Sequence, residues 1–338
     1  MRTTLDAAAV AQAPVSRPRL APAALRRELT LDVELAGVLD PAPSLEMFRR
    51  SGDDLLDRWD GTTFLRTAAA GGRRIAFATT FTGTPNRPIL RITVEDGEYA
   101  APVAAAARAA FLAPPREFAA LCRADPVVAR LAARYPGLRP VLQLDLLGAL
   151  IRCISAQQVN LRWAAETRRR LAERFGDRHT VAGVVVYSLS AERLAGASLA
   201  EIRALQFTNR KAEYIIAAAQ AIATGAIDRE RLSALDDERV IAELVALRGI
   251  GVWTAEWILA RTMGRPRVVA GDLGVRKAVG IAYRRRAMPA EDQVRRLTVH
   301  WGRAAAHAQA LLLHALGEKQ LEAVVAGIRR RPAPRSLR

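Results

Sequence analysis

Two periodicities divide the chain. From residue 29 onward polar and apolar positions alternate, the pattern of half-buried strands, through LTLDVEL (29–35), TFLRTAAA (63–70), RRIAFATTF (73–81) and PILRITVE (88–95). Gly-Gly at 71–72 and Asp-Gly at 96–97 supply the turn signals. Residues 44–57 read as a helix between the first two strands, and APVAAAARAAFL (101–112) as a second helix ending at Pro114-Pro115. Residues 25–115 are therefore expected to form a mixed α/β unit of meander type. Past Pro115 the spacing changes to that of helices: Leu144, Leu147, Leu150, Ile151 and Ile154 in one segment, Ile215, Ile216, Ala219 and Ile222 in another, and then Val240, Ile241, Leu244 and Val245. Residues 116–328 read as all-helical, in one lobe or two with a cleft between, so the expected fold class is α+β. The Ala-, Pro- and Arg-rich segment 1–24 reads as a disordered leader and RRRPAPRSLR (329–338) as a solvated basic tail.

Composition narrows the class. With 338 residues the chain is expected to hold two domains, and 51% hydrophobic against 25% charged residues excludes wholesale disorder. No apolar run reaches the roughly 18 residues that cross a bilayer, and the first residues lack an export signal. A cytoplasmic protein with no membrane partner is expected. Two cysteines, Cys122 and Cys153, permit neither a disulfide framework nor an iron–sulfur cluster, and both sit in apolar surroundings as expected of inert thiols. Among four histidines, His300, His307 and His314 recur every seven residues, which would stack them on one helix face. Neighbours would then lie about 10 Å apart, too far to share a zinc ion, so they are expected to pack or line.

The net charge of +17 is unevenly placed. Residues 1–27 hold five arginines and one acid, and residues 329–338 hold five arginines and no acid, which leaves +8 for the rest. A polyanion such as nucleic acid is the partner this balance suggests. The arginine preference is also what a GC-rich genome produces, since Lys211, Lys277 and Lys319 are the only lysines. Charge alone leaves the partner open.

Residues 237–283 carry more. A helix over about 237–247 runs into Gly249-Ile250-Gly251, and a second helix begins at Val252. Glycines can take positive φ, so the pair makes a tight hairpin with Ile250 tucked beneath it. The first amides of the second helix would face outward and favour a phosphate, a way of binding a nucleic-acid backbone without reading sequence. A plain helix–helix turn would look the same. Nineteen residues beyond Trp253, Asp272 precedes the helix LGVRKAVGIAY. It reads as an N-cap, and also as a carboxylate held ionised by the helix dipole and aimed at a cleft.

LRGIGVWTA followed by GDLGVRKAV resembles the helix–hairpin–helix and Gly/Pro…Asp signature of the HhH-GPD DNA glycosylases, in particular the AlkA-type 3-methyladenine DNA glycosylase II branch. DLLGALIRCISAQQVNLRWAAETRRRLAERFG (145–176) and LQFTNRKAEYIIAAAQAIATGAID (205–228) extend the resemblance, which covers residues 25–320. It implies a helical glycosylase core at 116–328 and, at 25–115, the antiparallel TBP-like domain of that branch. It implies an enzyme that flips an alkylated base, such as 3-methyladenine or 7-methylguanine, out of double-stranded DNA and hydrolyses its N-glycosidic bond, leaving an abasic site. Asp272 stands at the catalytic position, steadying an oxocarbenium-like sugar and orienting or deprotonating water. Gln158, with Gln157 beside it, stands where a wedge fills the vacated stack; a polar pair capping a helix is the other reading. Gly249, Ile250, Gly251 and Thr254 would hold DNA phosphate. Trp253 and Trp257, four apart, would form a base pocket preferring a cationic π-system, though aromatics at that spacing also serve a core.

The resemblance also separates branches. Members that cut the strand through a Schiff base carry a lysine where Trp253 stands, and Lys277 falls where the family uses none, which implies a monofunctional enzyme. The family's Trp-x-Pro-aromatic-Arg-Ser stretch is replaced by Trp301 followed by GRAAAH, and a pocket tryptophan of the family falls on Leu313. Backbone carbonyls of Val245, Leu247 and Ile250 would hold a monovalent Na+ or K+, with no other cofactor required, no zinc and no iron–sulfur cluster. A monomer is expected. A non-catalytic protein that binds damaged DNA, or a glycosylase for deaminated or oxidised bases, would share much of this pattern; Asp272 argues against the first and Trp253 against the second.

Overall fold

The computed structural model describes residues 27–283 and 288–328, so the expected leader and basic tail lie outside the described residues. Strands β1 (Leu29–Glu34), β2 (Arg58–Trp59), β3 (Thr63–Ala70), β4 (Arg73–Thr84) and β5 (Arg87–Val94) form an antiparallel sheet in the order β1-β5-β4-β3-β2. The last four make a meander, while β1 returns to the free edge of β5 with Asp32 opposite Arg91, the two ion-paired at 2.9 Å. Helices α1 (Pro41–Arg50) and α2 (Ala100–Ala110) cover one face, packing Leu45, Phe48, Val103 and Ala107 on Phe64, Phe77, Leu90 and Ile92. The helix expected at 44–57 starts earlier, because Asp40 caps it and Pro41 fits its first turn. It stops at Arg50, and the chain then turns through Gly52 and Leu55 with φ +98° and +64°.

The second half is not purely helical. A hairpin of β6 (Gly176–Val181) and β7 (Val184–Leu189) interrupts it, turning through Ala182 and Gly183 at φ +50° and +73°, as two-residue hairpin turns require. It covers the opposite face of the sheet: Val181 and Val186 bury Leu65, Ala76 and Ala78. Buried His179 stands 2.9 Å from both Glu95 and Ser188. The expectation of an all-helical stretch over 116–328 is corrected by this hairpin, which gains stability by packing on the N-terminal sheet.

The helices are α3 (Glu117–Ala124), α4 (Pro126–Arg134), α5 (Leu146–Ala156), α6 (Leu161–Phe175), α7 (Ala191–Ala195), α8 (Leu199–Ala204), α9 (Asn209–Ala223), α10 (Arg229–Ser233), α11 (Asp237–Val245), α12 (Val252–Arg261), α13 (Leu273–Ala282), α14 (Glu291–Thr298), α15 (Ala305–Gly317) and α16 (Leu321–Val325). They share two cores. Residues of α5 to α12 build the first, including Leu150, Ile154, Ile215, Leu244 and Ile258. Residues of α3, α4 and α13 to α16 build the second, including Leu131, Val279, Trp301 and Leu311. The chain passes from the first lobe to the second along residues 262–272, and Asp272 stands at the end of that crossing.

A buried ionic cluster ties the N-terminal sheet to the first lobe. Arg168 reaches Asp54 at 2.8 Å, Arg152 reaches Asp54 and Asp57 at 3.0 Å each, and Arg66 reaches Asp57 at 2.9 Å. Arg168 also donates to the Ser155 hydroxyl, and Arg66 to the Leu142 carbonyl. Such a cluster fixes geometry more surely than it adds net stability, because each charge was costly to desolvate.

Candidate active site

The hairpin between α11 and α12 needs glycine at one of its two glycine positions. Gly249 has φ +85°, and a Cβ there would stand 2.1 Å from the Tyr214 ring carried by α9. Gly251 has φ −103°, a value open to any residue, so positive φ is confined to Gly249. Ile250 is buried in the first core, as its place under the turn requires. The Gln157 amide donates to the Gly249 carbonyl at 3.2 Å, joining the end of α5 to the hairpin.

The start of α12 differs from its neighbours. Helices α5 to α11 and α13 all begin with a side chain of Asp, Asn, Ser or Thr accepting a first-turn amide, from Asp145 in α5 to Asp272 in α13. Gly251 offers α12 no such acceptor. Its first amides remain available to an external anion.

Asp272 is half-buried and held from both lobes. Its Oδ1 accepts the Val275 amide at 2.9 Å, within the second lobe, and its Oδ2 accepts the Trp253 indole N–H at 3.2 Å, from the first. Gly274 leaves room, since a Cβ there would meet Asp272 Oδ1 at 3.0 Å and Leu313 at 3.3 Å. The crossing that delivers Asp272 is fixed along its length. Arg265 pairs with Asp237 at 2.7 Å, the Val269 amide donates to Gln309 at 2.9 Å, and buried Glu256 of α12 holds Arg267 at 3.0 Å and Arg295 at 2.8 Å. A carboxylate has about four acceptor directions, so two hydrogen bonds leave capacity for water or a developing cation.

Leu313 also lines a cavity of about 140 Å³ between the N-terminal unit and the two lobes. Met47 and Arg50 of α1 reach it from one side, and Arg261, Ala310 and His314 from the other. That volume approaches the roughly 150 Å³ that accepts a benzene ring in a protein interior.

Residues 151–303 match the model of the HhH-GPD superfamily base excision DNA repair proteins. They belong to that superfamily. A DNA-3-methyladenine glycosylase of Bacillus subtilis is 30% identical over 186 residues, 54% of this chain and 61% of that protein. The chain thus spans about three fifths, or less, of the curated relatives it matches. Among solved structures, a 3-methyladenine DNA-glycosylase of Archaeoglobus fulgidus superposes with TM-score 0.75 at 23% identity, covering 85% of this chain and 98% of that one. A Clostridium acetobutylicum 8-oxoguanine glycosylase/lyase with double-stranded DNA gives 0.66 at 16%, covering 86% and 98%. The fold is that of HhH-GPD glycosylases, α+β with an antiparallel N-terminal sheet.

The fold brings Trp253, Asp272 and Leu313 to one place and joins Gln157 to the hairpin. Other residues singled out by sequence lie elsewhere. Thr254 is 1% exposed, so its side chain is closed to a phosphate. Trp257, one turn beyond Trp253, packs against the first core. Gln158 is exposed at φ +55°, while Gln157 ends α5, so the two do not form a buried pair. His300 is not stacked with His307 and His314, because Gly302 at φ +47° kinks the chain between them. It pairs with Asp125 at 2.8 Å, and His307 lies 3.1 Å from the Leu112 carbonyl. Burial pushes both thiols up, Cys153 most. Tyr214, Lys211 and Arg261 escaped sequence reasoning. Lys211 donates to the Ser155 carbonyl at 2.9 Å, and nothing in its spacing announced that contact.

Proposed function

We propose that this chain is a monofunctional DNA glycosylase that removes alkylated bases from duplex DNA. The observation carrying this reading is Asp272 held between the lobes by Trp253, beside a helix start without a cap and near Leu313, which lines a ring-sized cavity. DNA phosphate would bind the first amides of α12, and the flipped base would enter the cavity against Leu313, with Trp253 at its edge. Exposed Gln158 is the wedge. Val159, Leu161, Val252 and Leu273 follow or precede these residues and are exposed, apolar surface suited to a partner that covers it.

For a cationic alkylpurine the C1′–N bond breaks with its electron pair passing to the base, which leaves neutral. The Asp272 carboxylate stabilises the positive sugar, water adds to C1′, and its proton is lost to the carboxylate or to solvent. The products are the free base and an abasic site. No lysine stands where Trp253 stands; Lys277 is exposed on α13 and Lys211 is committed to Ser155. Strand cleavage through a Schiff base is therefore not expected.

The turn also suits a monovalent cation. Among the described residues no backbone hydrogen bond ends on the Val245 or Ile250 carbonyl, and Leu247 accepts only from Ile250. Those three carbonyls would hold Na+ or K+, which would lend positive charge to the phosphate site.

Incubation with methylated duplex DNA should release 3-methyladenine and 7-methylguanine, and borohydride should trap no enzyme–DNA adduct. Tight binding of the duplex with no base released would mean a damaged-DNA-binding protein instead.

A further inference from the structure

A second crevice, of about 20 Å³, lies where the N-terminal sheet, the β6–β7 hairpin and α5 meet. Arg66 and Arg74 line it from β3 and β4, Gln143 and Arg152 from beside and within α5, and Ser188 from β7. Its donors are not all engaged. Arg66 gives Nε to Asp57 and Nη1 to the Leu142 carbonyl, and Arg152 gives Nη2 to Asp54 and Asp57. Arg74 gives Nε and Nη2 to Thr67, while its Nη1 stands 3.6 Å from Asp145, too far for a hydrogen bond. Arg66 Nη2, Arg74 Nη1 and Arg152 Nη1 are thus left without an acceptor among the described residues. Gln143 is 4% exposed, and among the described residues its side-chain amide makes no hydrogen bond, a costly state for a buried polar group.

Charge points the same way. Three arginines line the crevice against two aspartates, Asp57 and Asp145, and the Arg168–Asp54 pair behind them cancels. Arg229 adds a further positive charge where it donates to the Leu144 carbonyl, and Glu95 is turned to His179 and the Ala76 amide. Burial pushes the Arg66 pKa down, Asp57 opposes that fall, and the charges of Arg152 and Arg74 add to it. Convergent donors with a positive surplus call for an anion, and the space sets its size. One water needs roughly 10–15 Å³, so this crevice admits a single-atom anion and excludes phosphate or sulfate. We propose that the crevice binds one halide ion, chloride, which bridges Arg66 and Arg74 of the sheet to Arg152 and Gln143 and so ties the N-terminal unit to the first lobe. The site shares no residue with the cavity at Leu313 and is independent of the glycosylase reading.

The test follows thermal melting of the full chain at constant ionic strength as chloride replaces gluconate, an anion too large for the crevice. Wild type should gain about 3 °C, saturating with chloride concentration, and bromide should substitute for chloride. Gln143→Glu places a carboxylate in the crevice and should lose the chloride response. Gln143→Leu removes the amide without adding charge and should raise the half-saturating chloride concentration at least fivefold. Equal melting of wild type in chloride and gluconate overturns the assignment and leaves water as the occupant. A chloride response that is unchanged in either variant also overturns it, by placing the anion elsewhere, such as the start of α12. Should neither variant fold, crystals of the wild type grown in bromide decide: an anomalous peak in the crevice supports the assignment, and its absence there overturns it.

Discussion

Trp253 does two jobs that sequence spacing could not separate. An aromatic residue in the first turn of α12 reads equally as core or as a base-stacking surface, yet its indole N–H is committed to Asp272 at 3.2 Å. Its contribution is therefore expected to show in the chemical step more than in binding. Trp253→Phe keeps a ring and loses the donor; single-turnover release should slow about tenfold, in line with a charge-assisted hydrogen bond of roughly 1.5 kcal/mol, with abasic-duplex affinity nearly unchanged. An equal loss of affinity and rate would make Trp253 a simple packing residue. The capping place of Asp272 was legible, because an aspartate opening a helix after a Gly/Pro crossing is a sharp signal. Arg261 was not: WILAR reads as an apolar helix ending in a basic residue, and the cavity it enters is built from α1 and α15, far away in the chain.

At the scale of elements, the informative contrast is between capped and uncapped helices. The first residue of α12, Val252, is exposed, and Gly251 before it has the extended backbone a following proline demands. Val252→Pro should leave the helix intact while deleting one outward amide. Binding to an abasic duplex should weaken several-fold with thermal melting within a few degrees of wild type; unchanged binding would remove the helix start from the DNA interface. The β6–β7 hairpin marks the limit of periodicity. HTVAGVVVYSL at 179–189 has both β-branched residues and a turn, a signal masked by the helical spacing on either side. In the structure β3 and β4 are buried along continuous runs, as strands covered on both faces are, although their sequence reads as period two. The seven-residue histidine spacing misled for a related reason: a period says nothing across a kink such as Gly302.

For the whole molecule, the question is what holds three cores in one register. The cluster at Asp54 does so between sheet and first lobe, through charges that sequence could not pair because its members lie up to 114 residues apart. Burial pushes the Asp54 carboxyl up, but Arg152 and Arg168 outweigh it and hold the pKa below the ordinary range. That contribution is complete above about pH 4 and drains as pH falls further. Asp54→Asn leaves two buried guanidiniums short of countercharge and should cost about 3 kcal/mol, measured by urea unfolding near pH 7. A change below about 0.5 kcal/mol would show the cluster to be solvated. Between the two lobes the corresponding link is the crossing that ends at Asp272, and on the proposed function this carboxylate, positioned from both sides, drives bond hydrolysis. The most direct measurement compares single-turnover release of 3-methyladenine from alkylated duplex by wild type and Asp272→Asn, with affinity for an abasic duplex measured alongside. The rate should fall at least about a hundredfold with affinity retained. Release by Asp272→Asn at the wild-type rate would contradict it.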